Sequence, residues 1–175
     1  MRTMAEKEAL PSRRLIWLPG FDYSSQGMYF VTIVAANRQC VFGDIVGDVL
    51  QANQLGQIIE EEWLGTAVVR PGVTLEAFVL MPNHVHGIVG LPATSSKIKN
   101  ELHARSLASL VRGFKAAVTR RHRLAIANPD AIVWQRNYYE HIIRDENDWT
   151  ATHAYIADNP RRWAEDDENP LNSKA

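Results

Sequence analysis

The stretch from Val73 to Leu91, VTLEAFVLMPNHVHGIVGL, decides the fold. Two runs rich in apolar and β-branched residues, Val73 to Met81 and His84 to Leu91, flank Pro82 and Asn83, a pair that favours a turn. Runs of this kind separated by two turn residues read as a tight antiparallel hairpin. The same reading places His84 and His86 two positions apart in the second strand, where side chains at i and i+2 share a face. Two imidazoles standing side by side can give two nitrogens to a divalent cation and leave its other positions open. Spacing alone does not separate this from two polar side chains capped by solvent or backbone, because so short a pattern also arises by chance among six histidines.

Upstream, MYFVTIVAAN (Met28 to Asn37) is aromatic and β-branched and reads as a first strand. Ala52 to Val68 spaces Leu55, Ile58, Ile59 and Trp63 at helical intervals. Downstream, Leu107, Leu110, Val111, Phe114 and Val118 fall at steps of three and four, giving a second amphipathic helix. Tyr138 to Arg144 reads as a fourth strand, and Asp145 to Asn159 as a helix with Asp145 at its N-cap and Pro160 beyond its end. Strand, helix, strand, strand, helix, strand, helix is the order of the split β-α-β, ferredoxin-like arrangement. The expected class is α+β: a ferredoxin-like, RRM-like antiparallel sheet with helices on one face, plus a C-terminal helix. Residues 1–26 read as an N-terminal arm, 27–163 as one domain, and 164–175 as an acidic tail expected to be disordered.

The chain has 175 residues, 46% apolar and 22% charged, enough for one real core and too few for two comfortable domains. With no run of 18 apolar residues and no secretory-type N-terminus, no membrane partner and a cytoplasmic location are expected. A single cysteine, Cys40, excludes an internal disulfide framework and a multi-cysteine zinc site, and is expected at a core or strand-end position. The net charge of −1 argues against a polycation that simply coats nucleic acid. Charge is nevertheless segregated. Between Lys97 and Arg123 eight basic residues face the single acid Glu101, whereas acids gather at Asp145 to Trp149 and Glu165 to Glu168. Such a local field can hold an anionic polymer, and the acidic tail could cover it; the plain alternative is a solvated helix face.

A two-histidine site needs a third ligand, and a reaction needs a nucleophile. AYIADNP places Tyr155 and Asn159 four residues apart on one helical face. An asparagine carbonyl can complete a three-ligand site, and a tyrosine beside a cation can lose its proton below its usual pKa of about 10. The structural alternative is a packing tyrosine and a helix-capping asparagine. Tyr138 and Tyr139 are rivals for the nucleophile, but strand alternation points only one of them inward, and neither has a carboxamide one helical turn on. His141 reads as an ordinary strand histidine or as a group just behind the site. His103, His122 and His153 read as surface residues, and Glu60 to Glu62 as a solvated helix face.

MPNHVHGIV, FKAAVTRR, VWQRNYYEHIIRDEND and YIADNP, together with LPGFDYSSQGMYFVTI and NRQCVFG, closely resemble the single-tyrosine HUH transposases related to insertion sequence 200. Within these the similarity is to the REP-associated tyrosine transposases, over roughly Arg14 to Trp163. The resemblance implies that His84, His86 and Asn159 bind Mg²⁺ or Mn²⁺ and that Tyr155 is the nucleophile. Related insertion-sequence enzymes usually carry a glutamine as third ligand, so Asn159 shortens that arm. It implies in-line attack on single-stranded DNA bearing hairpins of the repetitive extragenic palindrome type, giving a 5′-phosphotyrosine and a free 3′-hydroxyl. One phosphate ester replaces another, so rejoining needs no nucleotide cofactor. A nucleoid-associated monomer or homodimer is implied, with Arg112, Lys115, Arg120, Arg121 and Arg123 tracking phosphates. Trp134 or Tyr138 could stack on bases or belong to the core, and Arg13, Arg14 and Trp17 of the arm could read bases beside a hairpin foot. Two other functions would use the same residues: a catalytically silent nucleic-acid-binding regulator of the same fold, and a metal-dependent phosphodiesterase that activates water.

Overall fold

The computed structural model describes residues 27–92 and 106–172. Arg13, Arg14 and Trp17, and Lys97, Lys99, His103 and Arg105, lie outside the described residues. The strands are β1 (Met28–Val34), β2 (Gly43–Val46), β3 (Val49–Ala52), β4 (Thr74–Leu80), β5 (His84–Gly90) and β6 (Tyr139–Ile143); the helices are α1 (Gln54–Val69) between β3 and β4, α2 (Leu107–Ala125) between β5 and β6, and α3 (Glu146–Asp158) after β6. β1, β4, β5 and β6 form one antiparallel sheet in the order β4-β5-β1-β6, which is the ferredoxin-like order. The β2–β3 hairpin is an addition that the sequence reading did not foresee. Its strands have four residues each, too short for a readable alternation, and its turn rests on Gly47 at φ +65°.

The hairpin that decides the fold forms as expected. Leu80 pairs with Val85 and Met81 N–H donates to His84 O at 2.8 Å, so Pro82 and Asn83 make the turn. β5 is central and buried along its whole length because both faces of the sheet are covered. On one face Val31, Ile33, Val85 and Val89 pack against Leu55, Ile59 and Trp63 of α1 and Leu110, Phe114 and Val118 of α2. On the other, Met28, Phe30, Ile88 and Ile143 lie under Trp149 and Ile156 of α3. Burying an apolar side chain of this size stabilises by about 1.5–3 kcal/mol, and a one-residue slip would turn every one of them to the wrong face. Register is therefore held firmly, and with it the face on which His84 and His86 stand.

Side-chain caps set the helix starts. The Asn53 side chain accepts from Leu55 N and Gly56 N, that of Ser106 from Ser109 N, and that of Asp145 from Asp148 N. Only Arg144 and Asp145 separate β6 from α3, so the helix turns back at once over the face opposite α1 and α2. No helix among the described residues is long and apolar enough to cross a membrane. Cys40, expected at a core or strand-end position, is exposed in the loop before β2.

Residues 164–172, expected within a disordered tail, are instead folded onto the domain. The 3-10 turns Pro160–Glu165 and Pro170–Asn172 bracket a buried Asn169, whose amide donates to Trp163 O and whose side-chain oxygen accepts from Leu171 N. Arg38 pairs with Glu168 at 3.2 Å, and Arg161 reaches Asp48 in the β2–β3 turn at 3.7 Å. What orders the segment is side-chain bonding to backbone, which leaves no apolar periodicity to read.

Candidate metal and nucleophile site

The two histidines are 0% and 3% exposed, and their Nε2 atoms face each other at 2.9 Å. Their outer nitrogens are held by different partners. Asn83, buried in the turn, donates from Nδ2 to Arg38 O at 2.9 Å and to Glu168 O at 2.7 Å. Its Oδ1 can only accept, and lies 2.9 Å from His84 Nδ1. The proton of His84 therefore sits on Nδ1, and the Nε2 lone pair points inward. His86 Nδ1 lies 2.8 Å from Thr32 Oγ1, a hydroxyl that can give or take a proton and so accepts either tautomer of His86. Burial, and then the neighbouring His86, holds His84 well below the usual histidine range; burial alone lowers His86 to about 3. Both rings are neutral, the form that binds a cation.

One carboxylate converges on the pair, and a buried amide lies beside it. A carboxylate oxygen of Asp166 and one ring nitrogen each of His84 and His86 all lie within 4.8 Å of one another. Asn159 is 3% exposed, and its Oδ1 is buried without a hydrogen-bond partner. An unsatisfied buried carbonyl costs about 1–3 kcal/mol, while the same side chain hydrogen-bonds Tyr155 and Asp166. Two imidazoles and a carboxylate make a donor set that fits a divalent ion such as Mn²⁺ or Mg²⁺. Tyr155 stands beside this set. Its hydroxyl is 3.4 Å from His86 Nε2, its ring packs 5.2 Å from the His86 ring, and it meets Phe30 edge-on at 5.9 Å. Burial and the charge of Asp166 raise the Tyr155 hydroxyl above its usual range, and the Asn159 side chain partly offsets this.

The rival tyrosines separate as alternation requires. Tyr139 shares the face of His86, whereas Tyr138 lies on the α2 side near Lys115, its hydroxyl raised to about 12 by burial and by Glu140. His141 bonds Asp148 at 2.8 and 3.0 Å, tying β6 to the first turn of α3 without touching the histidine pair. Trp134, considered for stacking, packs against Phe42 and Phe114 in the core.

The basic helix α2 lies across the sheet from Tyr155. Several of its expected phosphate contacts have internal duties. Lys115 Nζ donates to the carbonyls of Gln135, Arg136 and Asn137, Arg123 Nε to Ala131 O, and Arg121 pairs with Glu61 and Glu62, two of the acids expected to be merely solvated. Among the described residues, Arg112 and Arg120 make no hydrogen bond or ion pair. Arg120, Lys115 and Arg123 rim an open cavity of about 820 Å³ floored by apolar atoms of Leu124 and its neighbours. The sequence reading missed Thr32, Asn83 and Asp166. In sequence Asn83 reads as a turn residue alone, Thr32 joins the site only through cross-strand register, and Asp166 reads as part of the acidic tail.

No family model matches the chain. It is 38% identical over 167 residues to an uncharacterized protein of Haemophilus influenzae, covering 88% of this chain and 91% of that one. A second protein of that organism, named "Putative REP-associated tyrosine transposase", is 26% identical over 144 residues, covering 79% of this chain and 73% of its own. Among solved structures, a REP-associated tyrosine transposase bound to a REP hairpin superimposes with a TM-score of 0.57 at 22% identity, covering 81% of this chain and 71% of that one.

Proposed function

We propose that the chain is a REP-associated tyrosine transposase that cleaves and rejoins single-stranded DNA at hairpin-forming repeats through a 5′-phosphotyrosine intermediate, a reading supported by its similarity to proteins so named and by the site's geometry. The observation that carries the reading is the Tyr155 hydroxyl 3.4 Å from the inward nitrogen of a neutral, buried histidine pair. His84, His86 and Asp166 would hold Mg²⁺ or Mn²⁺, with the unpaired Asn159 Oδ1 as the further oxygen. When bound, the cation supplies positive charge that lowers the Tyr155 pKa and stabilises charge on the scissile phosphate.

The chain's own groups do the rest. Tyr155 attacks phosphorus in line, its phenolic oxygen replacing the 3′-oxygen of the preceding nucleotide, which leaves as a hydroxyl after protonation. Attack by that 3′-hydroxyl, or another, on the phosphotyrosine reverses the exchange and releases Tyr155. Phe30 packs beneath both His86 and Tyr155, which fixes their relative approach. The face bearing Arg112 and Arg120 would hold the phosphates of the hairpin stem, so the substrate would span both faces of the sheet.

The test is a covalent adduct. With Mn²⁺ and a single-stranded hairpin oligonucleotide, wild type should give a protein–DNA band that Tyr155→Phe and His86→Ala both lose. Absence of the band from wild type overturns the reading. Cleavage that survives Tyr155→Phe but not His86→Ala would identify a water-using phosphodiesterase, and hairpin binding without cleavage a regulator.

A further inference from the structure

Tyr139 opens β6 on the face that carries the site. It pairs with Thr32 in the β1–β6 register, and Thr32 pairs with His86 across β1 and β5, so Tyr139 and His86 flank Thr32 in one row. Its ring meets Phe30 at 6.4 Å, edge to face. The same Phe30 ring stacks on His86 at 5.2 Å and receives Tyr155 at 5.9 Å. One buried ring therefore carries the candidate nucleophile, a candidate ligand and Tyr139 around its perimeter.

The exposures differ sharply. Phe30 is 8% exposed and His86 3%, yet Tyr139 is 60% exposed. No hydrogen bond or ion pair among the described residues engages its hydroxyl. The fold gains little from this ring, which lies on an edge strand with open solvent on one side. Arg136, three residues earlier, is also exposed and adds positive charge on the approach to β6.

We infer that Tyr139 is a stacking platform for the nucleobase next to the phosphate that Tyr155 attacks. The inference rests on the reading of the chain as a single-strand transferase. A phosphate seated between Tyr155 and the histidines leaves its neighbouring base without a duplex partner, and Tyr139 offers that base a flat π-face one strand away. Stacking on an exposed aromatic is tolerant of base identity, so this contact would fix the position of the strand more than its sequence. Removing such a ring weakens binding by about fivefold to about a hundredfold.

The experiment first maps the cleaved phosphate from the adduct formed by wild type with Mn²⁺ and a hairpin oligonucleotide that has unpaired flanks. 2-Aminopurine is then placed in turn at the nucleotides on each side of that phosphate, in the cleavage-silent Tyr155→Phe background. One position should be strongly quenched on binding, and Tyr139→Ala should remove that quenching and weaken affinity by fivefold or more. Tyr139→Phe and Tyr139→Trp should retain both. An adduct that forms normally while no position responds to Tyr139→Ala overturns this inference and leaves the transferase reading intact. Loss in Tyr139→Phe equal to that in Tyr139→Ala also overturns it, since the hydroxyl and not the ring would then matter. A wild type that yields no adduct overturns both.

Discussion

Thr32 Oγ1 lies 2.8 Å from Nδ1 of His86, one strand away in the β1–β5 register. As the rings stand, the 2.9 Å contact between the two Nε2 atoms needs one proton, and His84 keeps its own on Nδ1 because Asn83 Oδ1 can only accept. The shared proton belongs to His86, and Thr32 donates to its Nδ1. A cation at the pair requires the other tautomer, with Nδ1–H donating to Thr32. The hydroxyl supports both states by rotating. Thr32→Val, which keeps the shape and removes this partner, should lower Mn²⁺ affinity about 10- to 100-fold, as loss of such supporting bonds does at metal-ligating histidines. Titration calorimetry measures this, and unchanged affinity would show that Thr32 does not set the tautomer.

Depth of burial gives the site an unusual pH response. Two histidines of ordinary pKa, about 6.5, would together lose about a hundredfold in metal affinity between pH 7.5 and 5.5, because protons compete for both lone pairs. Here burial lowers His86 to about 3 and His84 well below its usual value, so both remain unprotonated across that window. Mn²⁺ affinity should fall by only a fewfold from pH 7.5 to 5.5. Such decline as occurs should come from Asp166, whose carboxyl burial raises, and should vanish in Asp166→Asn. A hundredfold fall would mean that the histidines are solvated.

Asp166 supplies the charge of the donor set. Asp166→Asn should weaken Mn²⁺ binding about tenfold or more while costing Zn²⁺ less, because carboxylates favour the harder ion and imidazoles the softer. Glu168→Gln weakens the Arg38 pair that holds the same segment but leaves the donor set whole. It should lower affinity for all ions alike, which separates a ligand from a latch.

Much of this arrangement was legible in the sequence because it rests on short-range pattern. The hairpin around Pro82 and Asn83, the i, i+2 histidines and the i, i+4 pair of Tyr155 and Asn159 follow from local periodicity, and strand order followed from element order. The groups that were missed depend on register or on chain return. Thr32 meets His86 across 54 residues, and Asn83 meets Glu168 across 85. Periodicity is equally silent on duty: Lys115 and Arg121 lie off the apolar stripe of α2 as phosphate-binding residues would, yet one clamps a loop and the other pairs with α1.

Gly87 shows the same limit in the core. It follows His86 in β5 and lies between Val85 and Val89 on the α1 face, directly beneath Trp63, whose ring would overlap a Cβ placed there. Trp63 is 1% exposed and wedged between Phe78 at 5.0 Å and Phe114 at 5.5 Å, so it cannot retreat. Gly87→Ala should destabilise the fold by about 1–3 kcal/mol through overpacking, read by denaturant unfolding. Because β5 carries the site on its other face, the same change should also weaken Mn²⁺ binding.

The last prediction concerns α2, where sequence position alone cannot say which cations meet DNA. Among the described residues Arg112 and Arg120 form no ion pair, whereas Lys115 caps three carbonyls of the segment leading into β6. If the stem lies on this face, Arg112→Ala or Arg120→Ala should each reduce the slope of log affinity against log salt concentration by about one for a hairpin oligonucleotide, with little change in stability. Lys115→Ala should do the reverse. Its carbonyl partners lose a charged donor, which costs about 1.5–3 kcal/mol of stability, while the salt slope stays nearly constant because the ammonium would have to give up those carbonyls to contact a phosphate. Equal salt slopes for all three variants and wild type would place the stem away from α2.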